Sequence, residues 1–194
     1  MKDLKTIGFL LATATLCTLV LGSAQVAYDR AAAVFSRRLY GAILELFEIP
    51  APPERLEETF RQHFEVHQVG ADTYYVAKDG APGTVVMKAE GPGLWSTIEL
   101  LLAVTPDRQS LAGLRVLAQA ETPGLGGRIA EAAFQAQFRG TRIQPRLAIV
   151  KVAMADNQVD AISGATRTCT AVENIINRAV RQLEQALPLR EHDG

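Results

Sequence analysis

Two cysteines, one tryptophan and a formal net charge of −1 deprive this 194-residue chain of several kinds of function. Cys17 falls inside a long apolar run and Cys169 near the start of the last helical pattern, so the pair forms no disulfide framework. Neither has companions at metal-ligand spacing. His63 and His67 make a bare His-x-x-x-His with no cysteine or acidic cluster beside it and read as solvent-facing. Basic and acidic residues balance at 20 and 21, and no basic tract or aromatic-interleaved patch is present to follow a nucleic-acid backbone. There is no internal repeat and no low-complexity segment. Nor does any acid, base and nucleophile set argue for turnover by this chain alone.

What is present is apolar. Hydrophobic residues make up 48% of the chain, enough for one ordinary domain plus a membrane segment but not for two full domains. Ile7 to Ala27 runs 21 residues without a charge, which as a helix measures roughly 31 Å, close to the hydrocarbon thickness of a bilayer. It reads as a retained anchor. The alternative is a cleaved signal peptide, with Lys2 and Lys5 as its positive region and Gly22, Ser23 and Ala24 near the cleavage point. The apolar run continues past those small residues through Val26 to Tyr28, which favours retention. Arg30, Arg37 and Arg38 on the far flank match Lys2 and Lys5, so charge alone does not orient the segment.

Beyond the run, residues 30–47 place Val34, Phe35, Leu39, Ile43, Leu46 and Phe47 at helical spacing, and Ile49-Pro50-Ala51-Pro52-Pro53 ends that pattern. Residues 54–64 read as a short helix opened by Pro53 with acidic residues in its first turn. Residues 73–77, 84–89, 98–105 and 111–118 are short β-type runs separated by turn-forming segments, which predicts an antiparallel meander, and residues 147–153 are expected to add a fifth strand. Residues 168–187 carry Val172, Ile175, Ile176, Ala179, Val180 and Leu183 at helical spacing before Pro188. The order predicts an α+β fold: one N-terminal transmembrane helix (residues 1–28), a helical connector (29–70), a single domain with a mostly antiparallel sheet covered by helices (71–188) and a tail (189–194). It is not doubly wound. Gly91-Pro92-Gly93 is no dinucleotide fingerprint, because a proline occupies the turn and Trp95 follows where a helix would open.

The segment richest in chemistry is Asp160-Ala161-Ile162-Ser163-Gly164-Ala165-Thr166. Ser163, Gly164 and Ala165 offer little side-chain bulk, so backbone there can approach an anion, and the helix that follows aims unpaired N–H groups at it. The segment suits a phosphate, and Thr166 puts a hydroxyl beside it. Taken alone, it is equally a turn in which Thr166 or Thr168 caps a helix.

Two more segments accompany it in order. Asp160 to Thr166 resembles the flavinylation motif Asp-x-x-Ser/Thr-Gly-Ala-Thr, Glu121-Thr122-Pro123-Gly124-Leu125-Gly126 resembles a Glu-Thr-Pro-Gly-Leu-Gly loop, and Gly91-Pro92-Gly93-Leu94-Trp95-Ser96 resembles a Gly-x-Gly-Leu-Trp-Ser segment. All three belong to the FMN-binding family that includes the C subunit of sodium-translocating NADH:quinone reductase and the G subunit of the Rnf electron-transport complex. The resemblance covers residues 84–187.

That resemblance implies covalent FMN held through a phosphoester at Thr166, with Ser163, Gly164 and Ala165 around the phosphate and Lys151 nearby. It implies that Gly93, Leu94, Trp95, Ser96, Thr122, Leu125 and Gly126 shape the ring's surroundings, although a tryptophan such as Trp95, taken alone, is more often a core residue and Lys151 reads as readily as a solvated strand-end lysine. Glu121 reads as a loop carboxylate and Cys169 as a small buried residue. The implied function is a membrane-anchored electron-transfer subunit within an ion-translocating complex of the Nqr or Rnf type. Its partners are membrane, iron–sulfur and flavin subunits, and a flavin transferase for maturation. It would sit in the cytoplasmic (inner) membrane with its domain facing the periplasm or cell exterior. A free-standing flavoprotein carrier outside the cytoplasm is the alternative, and a non-redox binding module with an empty site is a third reading that the intact Thr166 disfavours.

Overall fold

The computed structural model describes residues 2–188, without the side chains of residues 2–8, 10, 12, 31 and 33. The chain divides into two compact units, residues 1–41 and 42–194.

The first unit is helix. α1 (Lys2–Leu46) is one unbroken element of 45 residues, so the expected anchor and the first connector helix are continuous rather than separate. Nothing in residues 2–46 breaks it: no proline occurs there, and Gly22, well inside the apolar run, meets nothing within 4 Å. Phe9, Leu11, Leu16, Leu19, Leu21 and Val26 are all at least half exposed. The hydroxyls of Thr15 and Thr18 donate to carbonyls one turn back at 2.8 and 2.9 Å, so these polar side chains are satisfied within the helix. Among the described residues no helix is long and apolar enough to cross a membrane. The opening residues of the Ile7–Ala27 run lie outside the described side chains.

In the second unit a five-stranded antiparallel meander carries the core. Its strands, in spatial and chain order, are β1 (Phe64–Val69), β2 (Asp72–Ala77), β3 (Val85–Pro92), β4 (Thr97–Val104) and β5 (Leu111–Ala118). The expected meander is therefore present, and the α+β class holds. Its fifth strand is not the one expected. β1 lies inside the stretch read as a helical connector, preceded by α2 (Leu56–His63). The strand was illegible because it is an edge strand with Glu65, Val66, His67 and Gln68 all exposed, which leaves only a weak alternation. The segment expected to join the meander, residues 147–153, instead forms β6 (Ala148–Val150), paired in parallel with β7 (Gln158–Asp160) in a separate two-stranded sheet.

Both faces of the central strands are covered, which explains why β4 reads as a nearly continuous apolar run. On one face Val85, Met87, Leu100 and Leu102 share a cluster with Val172, Ile175, Ile176 and Leu183 of α4 (Thr166–Ala186). On the other, Phe60 of α2 meets Tyr75 edge-on at 5.5 Å and stacks on Phe64 at 5.2 Å, and Leu46 reaches Gly113. Close approach needs glycine at Gly91, where a Cβ would lie 2.7 Å from Ile175 Cγ1. This anchors α4 across β3 and fixes where its N-terminus falls.

α4 starts at Thr166, two residues earlier than its apolar spacing predicted. Between β5 and β6 run a 3₁₀ turn (Gly126–Ala130) and the short α3 (Ala132–Ala136), neither of which has a period long enough to read from sequence.

Candidate functional site

The three segments singled out in the sequence converge at the first turn of α4. The β3–β4 turn, Gly93 to Ser96, is closed by the Gly93 N–H donating to the Ser96 carbonyl at 2.7 Å. Ser96 Oγ then accepts the Ala120 N–H at 2.8 Å, which ties the turn to the strand-exit segment carrying Glu121. Residues 122–127 fold tightly because the Thr122 carbonyl accepts both the Leu125 and Gly127 N–H groups, and Gly124 supplies the left-handed residue (φ +73°) this needs. Gly164, at φ +78°, makes the corresponding bend before α4.

A cleft of about 210 Å³ lies where these meet, lined by Leu94, Glu121, Thr122, Leu125, Gly126 and residues 164–168. Of the residues expected at the site, Thr166, Gly164, Ala165, Thr122, Leu125, Gly126 and Leu94 line it. Gly93, Trp95 and Ser96 form the adjoining turn, and Ser163 is exposed just outside it. Lys151 does not line the cleft; it lies exposed past the end of β6. The cation on the cleft wall is Arg167, a residue that none of the three motifs singles out.

Neither threonine caps α4. The cap position is Ala165, which makes no side-chain bond, and the first intrahelical N–H of the turn is that of Cys169, donating to the Ala165 carbonyl at 2.9 Å. The N–H groups of Thr166, Arg167 and Thr168 are therefore the orphan donors of a helix start, concentrated at the cleft. Thr166 is exposed there, whereas Thr168 is only 2% exposed. The Thr168 hydroxyl donates to Glu121 Oε2 at 2.7 Å.

Glu121 is the residue that sequence reasoning undervalued. It is 4% exposed, and its Oε1 accepts the Trp95 N–H at 3.0 Å. Burial pushes its pKa up, but the Trp95 N–H, the Thr168 hydroxyl and the N–H groups of Ser96 and Leu94 outweigh burial and hold it below the usual carboxylate range. It is thus a buried carboxylate held toward its ionised form by donors from the β3–β4 turn and from the first turn of α4. The available signal was the glycines around it: a Cβ on Gly93 would stand 2.6 Å from Glu121 Oε1, and one on Gly126 would stand 2.5 Å from Thr168 Oγ1.

Trp95 is 72% exposed, so the core reading of this side chain is overturned. Leu94 at 37% and Leu125 at 44% give the cleft partly exposed apolar walls, and Trp95 stands on the adjoining turn. Cys169 is buried as expected, accepts the Ile162 N–H at 3.4 Å, and has its thiol pKa pushed up by burial. It is a packing residue. His63 pairs with Asp79 at 2.8 Å rather than with a second histidine, and no metal-holding cluster occurs among the described residues.

A group such as a flavin nucleotide fits this chemistry in part. The orphan N–H groups and Arg167 suit a phosphate, and the apolar walls suit a flat aromatic ring. The cleft is smaller than the roughly 300–1,000 Å³ of a pocket that engulfs a ligand. It would hold one end of a cofactor and leave the ring at the surface.

Residues 93–181 match the model of the FMN-binding domain family, which takes in all three segments from Gly93 onward and bears out the resemblance read from the sequence. The chain is 39% identical over 112 residues to the C subunit of the Na(+)-translocating NADH-quinone reductase of Pasteurella multocida, and 32% identical over 118 residues to that of Vibrio anguillarum. These matches span 54% and 56% of this chain but only 43% and 46% of the relatives. Among solved structures, the corresponding protein from Parabacteroides distasonis superposes with a TM-score of 0.67 at 23% identity, covering 78% of this chain and 92% of that one. NqrC of Shewanella oneidensis gives 0.65 at 18%, covering 75% and 92%. At these identities the structural likeness speaks for the fold.

Proposed function

We propose that this chain, whose residues 93–181 match the FMN-binding domain family, is an electron-transfer subunit that carries FMN on Thr166. In this reading it works in a multi-subunit complex like the Na(+)-translocating NADH-quinone reductase of its relatives. The observation that carries the reading is the exposed Thr166 hydroxyl at the first residue of α4, on a cleft wall with unpaired helix N–H groups and Arg167.

The chain's own contribution is position. Thr166 Oγ1 would form the new bond to phosphorus and lose its proton, while the P–O bond joining that phosphorus to the rest of the activated flavin donor breaks and the remainder, a phosphate-terminated leaving group, departs from the flavin transferase without the flavin. The phosphodiester so formed keeps one negative charge, which the N–H groups of residues 166–168 and the Arg167 guanidinium offset. Gly164 keeps side-chain bulk away from the phosphate. Leu94 and Leu125 on the cleft wall, with Trp95 on the adjoining turn, would shield part of the ring from water. FMN supplies the redox chemistry; the protein supplies the address and the surroundings.

The anchor belongs to the same proposal. Its support is the uncharged run of residues 7–27 on a continuous helix with outward apolar side chains and internally satisfied threonines. The domain would then face the periplasm or cell exterior, where the implied transferase acts. Intact-protein mass tests the core of the reading. Co-expression with a flavin transferase is expected to add the mass of FMN less one water, and no mass gain in folded protein overturns it.

A further inference from the structure

The attachment chemistry at Thr166 does not require Glu121, yet Glu121 is among the most deeply placed charged residues of the second unit. Burying a carboxylate is costly unless its lone pairs are filled, so its retention needs an explanation beyond loop structure. Its two oxygens reach two different parts of the cleft. Oε1 accepts the Trp95 N–H on the β3–β4 turn, 26 residues away, and Oε2 accepts the Thr168 hydroxyl in the first turn of α4, 47 residues away. The surrounding sequence is built to admit it. Gly93 and Gly126 are the positions where a side chain would collide with this carboxylate or with the hydroxyl it holds.

We propose that Glu121 is a positioning residue that clasps the Trp95-bearing turn to the start of α4, so that this turn and the phosphate seat of the cleft keep a fixed spacing before any cofactor arrives. The proposal rests on the flavin reading of the cleft for its purpose, but its physical content belongs to the unloaded chain. Without the clasp, the tip of the turn would keep the β3–β4 pairing at its base, its own Gly93–Ser96 bond and the Ser96 hydroxyl, but no side-chain bond to α4 through Glu121. Trp95, 72% exposed, would then move independently of Thr166. Pre-forming the site in this way lowers the ordering cost that a ring would otherwise incur on docking.

Trp95 is the only tryptophan of the chain, so its fluorescence anisotropy in unloaded protein reports on the turn directly. Thr168→Val removes the hydroxyl at nearly constant volume, and Glu121→Ala removes the carboxylate. Both are expected to lower Trp95 anisotropy, Thr168→Ser to restore it, and the double variant to show no further loss than Glu121→Ala alone. In transferase-treated protein, the anisotropy of the flavin that is attached is expected to fall in Thr168→Val. Unchanged Trp95 anisotropy in folded Thr168→Val overturns the clasp. If Glu121→Ala does not fold, Thr168→Val and Thr168→Ser carry the test. A wild-type protein that gains no flavin mass sinks the flavin reading while leaving the Trp95 measurement able to judge the clasp.

Discussion

Thr166 and Thr168 stand in the same helical turn and both border the cleft, but Thr166 is exposed, whereas Thr168 is buried with its hydroxyl 2.7 Å from Glu121 Oε2. Two residues of helix rotate a side chain by about 200°. That rotation separates a hydroxyl available for modification from one committed to the fold.

Thr166→Ala is therefore expected to abolish the flavin mass gain and leave the melting transition close to wild type. The substituted side chain is exposed and makes no cap bond, and exposed changes of this kind cost within about 0.5 kcal/mol. Thr168→Val is expected to do the reverse, keeping the modification and losing about 1–3 kcal/mol, since a buried acceptor on Glu121 loses its donor. Intact mass and urea unfolding on both variants check this, and a modified Thr168 would overturn the assignment.

Trp95→Ala is expected to leave the phosphoester at Thr166 and the stability of the domain almost unchanged. Its backbone N–H to Glu121 survives the substitution, and its side chain lies 72% exposed. The flavin should become easier to quench. Equal access of a soluble quencher in wild type and variant would remove Trp95 from the ring's surroundings.

Acid should expose the contribution of Glu121. Its folded pKa is depressed, so the stabilisation is fully present above the unfolded value of about 4.3 and is lost as pH falls through the lower folded value. Glu121→Gln does not titrate. Urea unfolding of both proteins from neutral pH downward is expected to show the wild type's advantage constant above that unfolded value and shrinking below it. A difference that stays flat through the acid range would show that the carboxylate is not ionised in the fold.

Arg108 sits at φ +59° in the β4–β5 turn, a conformation that suits glycine, and its Nε and Nη1 are shielded from solvent without a hydrogen-bond partner. Burial lowers its pKa. Arg108→Gly is expected to stabilise the domain by about 1 kcal/mol by relieving both costs. Loss of stability in urea unfolding would mean that the arginine stem contributes more packing than its strain costs.

The anchor reading predicts that residues 7–27 persist in the mature protein and that a C-terminal reporter active only outside the cytoplasm gives signal. N-terminal sequencing and the reporter check the two halves. A mature N-terminus near Ala24 or Gln25 would replace the anchored subunit with a released flavoprotein.

Much of this was decided along the chain alone, because some signals are local. The meander strands from β2 to β5 could be read because their apolar runs are bounded by turn residues at Gly80, Gly83 and Pro106, and α4 because its apolar spacing is regular over about three turns from Val172 to Leu183. The small-residue stretch before Thr166 is likewise local, since what it offers, low bulk and a helix start, needs only neighbours in sequence.

Tertiary structure decided what depends on distant partners. β1 became a strand because β2 supplies its hydrogen bonds, although four of its six residues face solvent. Residues 148–150 left the meander because β7, rather than the sheet edge, pairs with them. Sequence could not show that Arg167, not Lys151, lines the cleft, or that Trp95 stays at the surface, since both follow from where β3 and α4 cross at Gly91. Glu121 is the clearest case: a loop carboxylate by its neighbours in sequence, it became a buried charge only because the fold brought it a backbone N–H from one segment and a hydroxyl from another.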